Sequence, residues 1–430
     1  MNDAARAVGS RPVPAEAGAA AERRTTATTL LLAAIVGAVA LLLAGLLTPP
    51  AHVPFLGHGE SFAQQAANPW SLVGKFPQRF LWPVLAWCAA QVGIGGAAFS
   101  QVCSGALLAT VFWFCRVRGA AFVDALLVTA AIAATGAVQL YQVMTCHSDS
   151  LVWILLLLLV HHVRRGRLFW GLVFVAALGH EMVFFLAPWL VWLRRANGAN
   201  VRRELVALFA TGGAYAAWLA VVKVFGQSQG LGVLYYLQEN WLVLGTLGLW
   251  CVWVLLLLCE FGPLLAIVVY GWRTDRLGMG GRRGPLVYGA CVLSTMAFAY
   301  DVQRFSCFAF LPLVLGAIAF LDAPRRRVVF VVLLLASIGS YAWFHPIPPE
   351  GVDALASQAT AGGWPYDRVW HYVLEFGSHA PGTRGRFFTH VIPHLWLETL
   401  LFAAFAVAIV GLGFGLGRKL HEPRPTAGLP

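Results

Sequence analysis

Charge is scarce in this chain: 11% of its 430 residues are Asp, Glu, Lys or Arg, against 59% hydrophobic. With a mean hydropathy of +0.72, that scarcity excludes a soluble globule and suits a polytopic membrane protein. No polar stretch sets apart a soluble catalytic domain. The eight cysteines contain no CxxC pair, which argues against a metal knuckle or a dithiol redox centre. Most of them lie inside apolar stretches as small hydrophobes, and Cys146 alone is expected near the outer face, without an obvious partner. No period of about 20 to 50 residues repeats, which counts against a solenoid and makes an inverted-repeat transporter less favoured.

Arginine is present, and its placement is informative. Clusters fall at Arg23-Arg24, Arg116 to Arg118, Arg164 to Arg167, Arg194 to Arg203, Arg273 to Arg283, Arg325 to Arg327 and Arg418-Lys419. The net charge of +11 therefore sits in short loops between apolar stretches, where the preference of such loops for the cytoplasm accounts for it and nucleic acid need not be invoked. The clusters fix the inner face, so each stretch joining two of them crosses the membrane an even number of times.

This parity predicts an all-α polytopic membrane protein of about twelve crossings, with both termini cytoplasmic in an inner (plasma) membrane. Residues 1–28 read as a disordered cytoplasmic tail, 29–417 as the transmembrane domain with outer loops 49–79 and 345–395, and 418–430 as a second tail. Helix one, from about Leu30 to Leu47, is a retained anchor ended by Pro49-Pro50. Arg79 to Cys115 divides at the Gly-rich Val92 to Ala98 into an interfacial helix with Trp82 and Trp87 and a span from about Phe99. Ala120 to Leu140 goes out and Ser150 to Val160 returns.

Leu168 to Leu193 is the most constrained stretch, because it joins two inner clusters in 26 residues where two full spans need about 40. It is expected to be a hairpin of two short helices turning at His180-Glu181; a single tilted helix would leave one arginine cluster outside. Leu205 to Val222 then crosses outward, a second interfacial helix follows at Trp241 to Val252, and a return span ends at Trp272. Leu286 to Tyr300, Phe305 to Phe320, Val328 to Trp343 and Leu397 to Leu416 complete the crossings.

Four places put ionisable groups at the outer interface: His58 with Glu60, His147 with Asp149, His180-Glu181, and Asp301 with Arg304. Such groups are costly near hydrocarbon unless paired or wet, which makes them candidates for a functional site. Asp124 and Glu260 are the main carboxylates away from that end. Several cations break the charge rule by lying outside, among them Lys75, Arg79, Lys223 and Arg304. Arg304 either pairs locally with Asp301 or is kept to bind a phosphate, for which its planar fork is suited. His58, Glu60, His147, Asp149, His180 and Glu181 include ligand types for a divalent metal ion, although their spacing matches no dedicated motif.

The run YQVMTCHSDSLVWILLLLLVHHVRRGRLFWGLVFVAALGHEMVFFLAPWLVWLRR, Tyr141 to Arg195, resembles the GT-C superfamily of integral-membrane glycosyltransferases. An outer-face Asp that opens a helix, a basic inner turn, and two short helices around a polar residue correspond to Asp149, Arg164 to Arg167 and His180-Glu181 with Pro188. GHGESFAQQAANPW and FPQRFLWPVLAW resemble the superfamily's acidic first loop and the Arg-Pro stretch after it. YDVQRFSCFAFLPLVLGA, Tyr300 to Ala317, resembles its late outer-face Arg and Pro-containing helix. The chain departs from the pattern where an acidic pair is usual: His58 and Gly59 stand there, with Glu60 one residue on, so either Glu60 has taken the role or the activity is altered or lost.

The resemblance implies transfer of a sugar from a polyprenyl-phosphate carrier to a glycan, lipid or protein acceptor at the outer face. It implies Glu60 as base with His58 beside it, Asp149 as supporting carboxylate or metal ligand, and Arg304 as phosphate clamp beside Asp301. Arg79, His147, His180 and Glu181 would line the site, and Trp82 and Trp87 would guide the lipid carrier. A multi-pass transporter or lipid-carrier flippase, and a non-catalytic subunit of a surface-polymer assembly system, stand as alternatives.

Overall fold

The computed structural model describes residues 15–47, 59–74, 76–143, 146–228, 257–258, 260–295, 306–343 and 396–419. Their regular structure is almost wholly helical, relieved by one ladder of two two-residue strands. Three helices among the described residues are long and apolar enough to cross a membrane: Ala27–Leu47 within α1 (Ala15–Leu47), α4 (Gly96–Val117) and α10 (Val201–Phe225). α1 begins inside the expected N-terminal tail, because the Ala-rich stretch before Thr28 continues the helix.

α1 packs along α4 through small residues. A Cβ on Gly37 would lie 2.6 Å from the carbonyl oxygen of Gly105 and 2.8 Å from Cβ of Ala109, so the backbones meet without intervening side chains. α2 (Gly59–Ala67) and α3 (Leu81–Ala90) precede α4, and the break at residues 91–95 coincides with the Gly-rich division expected there. α5 (Phe122–Ala133) and α6 (Gly136–Val143) divide the expected outward crossing in two, and α7 (Asp149–His161) returns.

Between Leu168 and Leu193 the chain forms two short helices, α8 (Gly166–Gly179) and α9 (Ala187–Ala196), joined by a 3-10 turn at Glu181–Phe184. α8 has 14 residues and rises about 21 Å, short of the roughly 30 Å of a hydrocarbon core. The chain does double back. Nη1 of Arg194, near the end of α9, donates to the carbonyl of Val163, just before α8, and its guanidinium stacks 5.5 Å from the Phe169 ring.

That return belongs to a circuit of contacts that gathers five arginine clusters at one end of the bundle. Arg118 donates to the Val160 carbonyl at 3.1 Å, Arg194 to Val163, and Trp192 Nε1 to the Gly280 carbonyl at 2.8 Å. Arg276 and Arg326 share the Asp322 carboxylate, Arg327 pairs with Asp124, and Arg116 donates to the Ala120 carbonyl. Two helices stop at this end on glycines held at positive φ, Gly119 at 86° after α4 and Gly198 at 88° after α9, a conformation that costs other residues more.

α11 (Leu265–Arg273), α12 (Gly284–Ser294), α13 (Phe310–Phe320), α14 (Arg325–Trp343) and α15 (Trp396–Lys419) complete the described chain. α15 lies against α11, where a Cβ on Gly413 would meet Cβ of Val269 at 2.6 Å. The interfacial helix expected at Trp241 to Val252 and the long loop His345 to His394 lie outside the described residues.

Candidate functional site

The end of the bundle opposite the arginines is crossed by a strap, residues 69–74 and 76–80, which carries the one described cation that the sequence singles out there and the structure buries. β1 (Val73–Gly74) pairs in parallel with β2 (Gln227–Ser228), just past the end of α10. Trp218 of α10 donates from Nε1 to the Gln78 carbonyl at 3.0 Å, and the Phe80 ring lies 5.0 Å from that of Trp218. Held on both sides, the strap directs Arg79 inward over the Phe76 ring, 4.2 Å from its centroid.

There Arg79 meets Glu181 in a two-pronged pair, Nε to Oε2 at 2.9 Å and Nη2 to Oε1 at 2.6 Å. The side chain of Arg79 is 8% exposed and that of Glu181 33%. Burial alone would raise the Glu181 carboxyl; the Arg79 charge, the neighbouring His180 and the Arg79 hydrogen bonds outweigh it and hold the group well below the usual carboxylate range. Arg79, expected as a substrate cation, is thus engaged with Glu181, and its planar fork satisfies both carboxylate oxygens.

His180 starts the same turn. Its Nδ1 accepts the Met182 backbone N–H at 3.2 Å, which caps the turn, and lies 3.9 Å from Oε2 of Glu181. Gly179, just before it, has Val152 and Leu81 within 3.1 Å and 3.5 Å of the place a Cβ would take. The turn, the start of α3 and the first turns of α7 therefore converge.

Asp149 opens α7 and is 1% exposed, between Ser148 and Ser150, which are also buried. Ser150 shares a hydrogen bond with Ser104 of α4 at 3.3 Å. Cys146, at a φ of 67°, holds its left-handed backbone by donating its N–H to Ser100 Oγ at 2.7 Å. His147, 3% exposed, stands edge-on to Phe62 at 6.0 Å and tilts against Tyr141 at 6.2 Å. Phe62 belongs to α2, two residues after Glu60, so this contact draws the helix that carries Glu60 to the His147–Asp149 loop.

The side chains of Glu60, His58, Asp301 and Arg304 lie outside the described residues. Trp82, expected to guide a lipid, is 0% exposed and packs on Phe62 and Phe99; among the described tryptophans the exposed one is Trp70, edge-on to Phe80 and Trp87. Among the described residues no group of three or more His, Cys, Asp or Glu stands together as a metal site. The two carboxylates expected away from this end are both accounted for. Asp124 accepts Nε and Nη2 of Arg327 at 2.5 Å and 3.0 Å, and Glu260, 1% exposed, lies over Gly136 at the break between α5 and α6.

Sequence reasoning identified Arg79 and Glu181 separately and missed that they are partners. A cation and an acid that both defy the apolar pattern were the available signal. It missed Phe62 and Ser104 altogether, since an aromatic or a serine on an apolar helix carries no signal of its own. The chain matches no protein-family model, no curated protein and no solved structure.

Proposed function

We propose that the protein is a multi-pass glycosyltransferase of the plasma membrane, of about twelve crossings with both termini cytoplasmic, that moves a sugar from a polyprenyl-phosphate carrier to an acceptor at the outer face. One observation carries the reading: the strap with Arg79, the turn with His180 and Glu181, the start of α7 with His147 and Asp149, and α2, whose first turn contains Glu60, all meet at the end of the bundle opposite the arginines. Cationic loops favour the cytoplasm, which would turn this polar end outward.

In the proposed reaction Glu60 takes the proton of the acceptor hydroxyl while that oxygen forms a bond to the anomeric carbon. The bond from that carbon to the phosphate oxygen breaks, and the electron pair leaves with polyprenyl phosphate. Arg304 would take up the charge growing on the phosphate, beside Asp301. Asp149 would support Glu60 with His58 and His147 near it, and the Arg79–Glu181 pair with His180 would form a stiff floor. A divalent ion, if the site takes one, would draw on Glu60 and Asp149 and neutralise phosphate charge.

The test is purified protein in lipid vesicles supplied with labelled polyprenyl-phosphate sugars. Consumption of a donor that Glu60→Gln abolishes without loss of expression supports the reading; failure to consume any such donor removes it. A transporter is the second reading, favoured by the buried Glu260 at a helix break, a pairing of broken helix and carboxylate suited to ion coupling. It expects substrate uptake that Glu260→Gln abolishes.

A further inference from the structure

At the arginine end, the contacts of Arg194 and Glu204 pull three separate segments to one point. Arg194 donates from Nε and Nη2 to the two oxygens of Glu204 at 2.9 Å and 2.7 Å and from Nη1 to Val163, while Trp170 Nε1 gives Glu204 a further bond at 2.7 Å. Close in sequence to the atoms in this knot stand six more arginines: Arg164 and Arg165 after Val163, Arg167 between Gly166 and Leu168, Arg195 beside Arg194, and Arg202 and Arg203 before Glu204. All six are exposed and none enters an ion pair among the described residues. Glu204 is the sole acid in the segments 160–171 and 190–206, and its charge is already matched by Arg194. Six unmatched charges so close repel one another, and a polyvalent anion relieves that cost.

The surface beside the cations is apolar. Val201, Leu205 and Phe209 recur at four-residue spacing on α10 and are 37%, 40% and 76% exposed, with Val206 at 63% and Leu168 of α8 at 42%. Cationic end and apolar stripe are therefore continuous on α10. The backbone N–H groups of Arg202 and Arg203 are taken by Asn200 Oδ1 at 3.0 Å and 3.4 Å, which leaves the guanidinium side chains as the donors.

We propose that this surface is a binding site for an anionic phospholipid. The phosphate of its headgroup sits among Arg164, Arg165, Arg202 and Arg203, and its acyl chains lie along Val201, Leu205 and Phe209. A free anion fits the cations and leaves the stripe uncovered; a zwitterionic lipid fits the stripe and leaves the charge unmatched. The site rests on the protein lying in a membrane and is independent of glycosyl transfer, so failure of the transfer assay leaves it standing.

The experiment is the melting temperature of the purified full chain in detergent, titrated with dioleoyl phosphatidylglycerol, dioleoyl phosphatidylcholine or inorganic phosphate. Phosphatidylglycerol is expected to raise it, saturably and less so at high salt, and the other two to leave it nearly unchanged. In the variant R164Q/R165Q/R202Q/R203Q the half-saturating concentration rises several hundredfold, since each surface arginine is worth a factor of about five. The control R282Q/R283Q, at the same end but off the knot, keeps the wild-type response; these side chains are exposed, and the unliganded melting temperature of each variant reports that it folds. An equal rise with inorganic phosphate, an equal rise with phosphatidylcholine, or an equal loss in the control variant each overturns the proposal.

Discussion

The guanidinium of Arg194 lies side by side with the carboxylate of Glu204, ten residues on, in two bonds of 2.9 Å and 2.7 Å. Both side chains are less than one-tenth exposed. Through the bond from Arg194 to Val163 the pair closes the short-helix hairpin α8–α9 at its base. Arg194→Gln is expected to destabilise the protein by about 3 kcal/mol, because it strands a buried carboxylate. Arg194→Met with Glu204→Met is expected to recover most of the loss, measured by thermal or denaturant unfolding in detergent. Double and single variants of equal stability would mean that the pair does not hold the hairpin.

Gly136 admits Glu260 at the α5–α6 break, where a Cβ would come within 1.2 Å of its Oε2. Gly136→Ala therefore displaces a buried carboxylate and is expected to cost stability that Glu260→Ala in the same chain largely restores. A double-mutant cycle reads this directly, and simple additivity of the two losses contradicts the contact.

The meeting of α1 and α4 at Gly37 gives a packing prediction. Gly37→Leu is expected to destabilise by about 1–3 kcal/mol, as overpacking does, whereas Gly45→Leu, with nothing near its Cβ position, is expected to be close to neutral. Equal effects at the two sites would remove the close approach of the helices.

The pH dependence of the Arg79–Glu181 pair has a definite sign. Because the folded carboxyl is held below its usual range, its contribution is fully present above the ordinary carboxylate value of about 4.3. It is lost as pH falls toward the depressed folded value. The stability difference between wild type and Glu181→Gln should thus stay constant from about pH 8 to pH 5 and shrink in stronger acid. A difference that shrinks on going from neutral to alkaline pH would indicate a carboxyl shifted upward.

The sides of the membrane are open to a labelling test. Cysteines placed singly at positions 165, 181 and 195, in a chain without native cysteines, are to be treated with an impermeant thiol reagent outside intact cells. Label is expected at 181 alone. Label from outside at 195 means that the segment spans once, that every later loop reverses, and that the outer cleft proposed for sugar transfer does not exist.

The sequence by itself determined the helical, apolar class of the chain and some of its breaks, though not the one that divides Ala120 to Leu140 into α5 and α6. Low charge and long apolar runs allow few structures other than helices. Glycine punctuation in the stretch Val92 to Ala98 acts within a few residues, where local rules hold. The return of Leu168 to Leu193 was also legible, since 26 residues between two arginine clusters leave room for two short helices and little else. Tertiary structure alone decided which charges meet. Arg79 lies 102 residues from Glu181, Arg327 lies 203 from Asp124, and Glu260 rests on Gly136. A charge near or inside an apolar layer must find a partner, but the partner it finds depends on which helix faces pack together, and the apolar surfaces that settle this packing are too alike in sequence to name their neighbours.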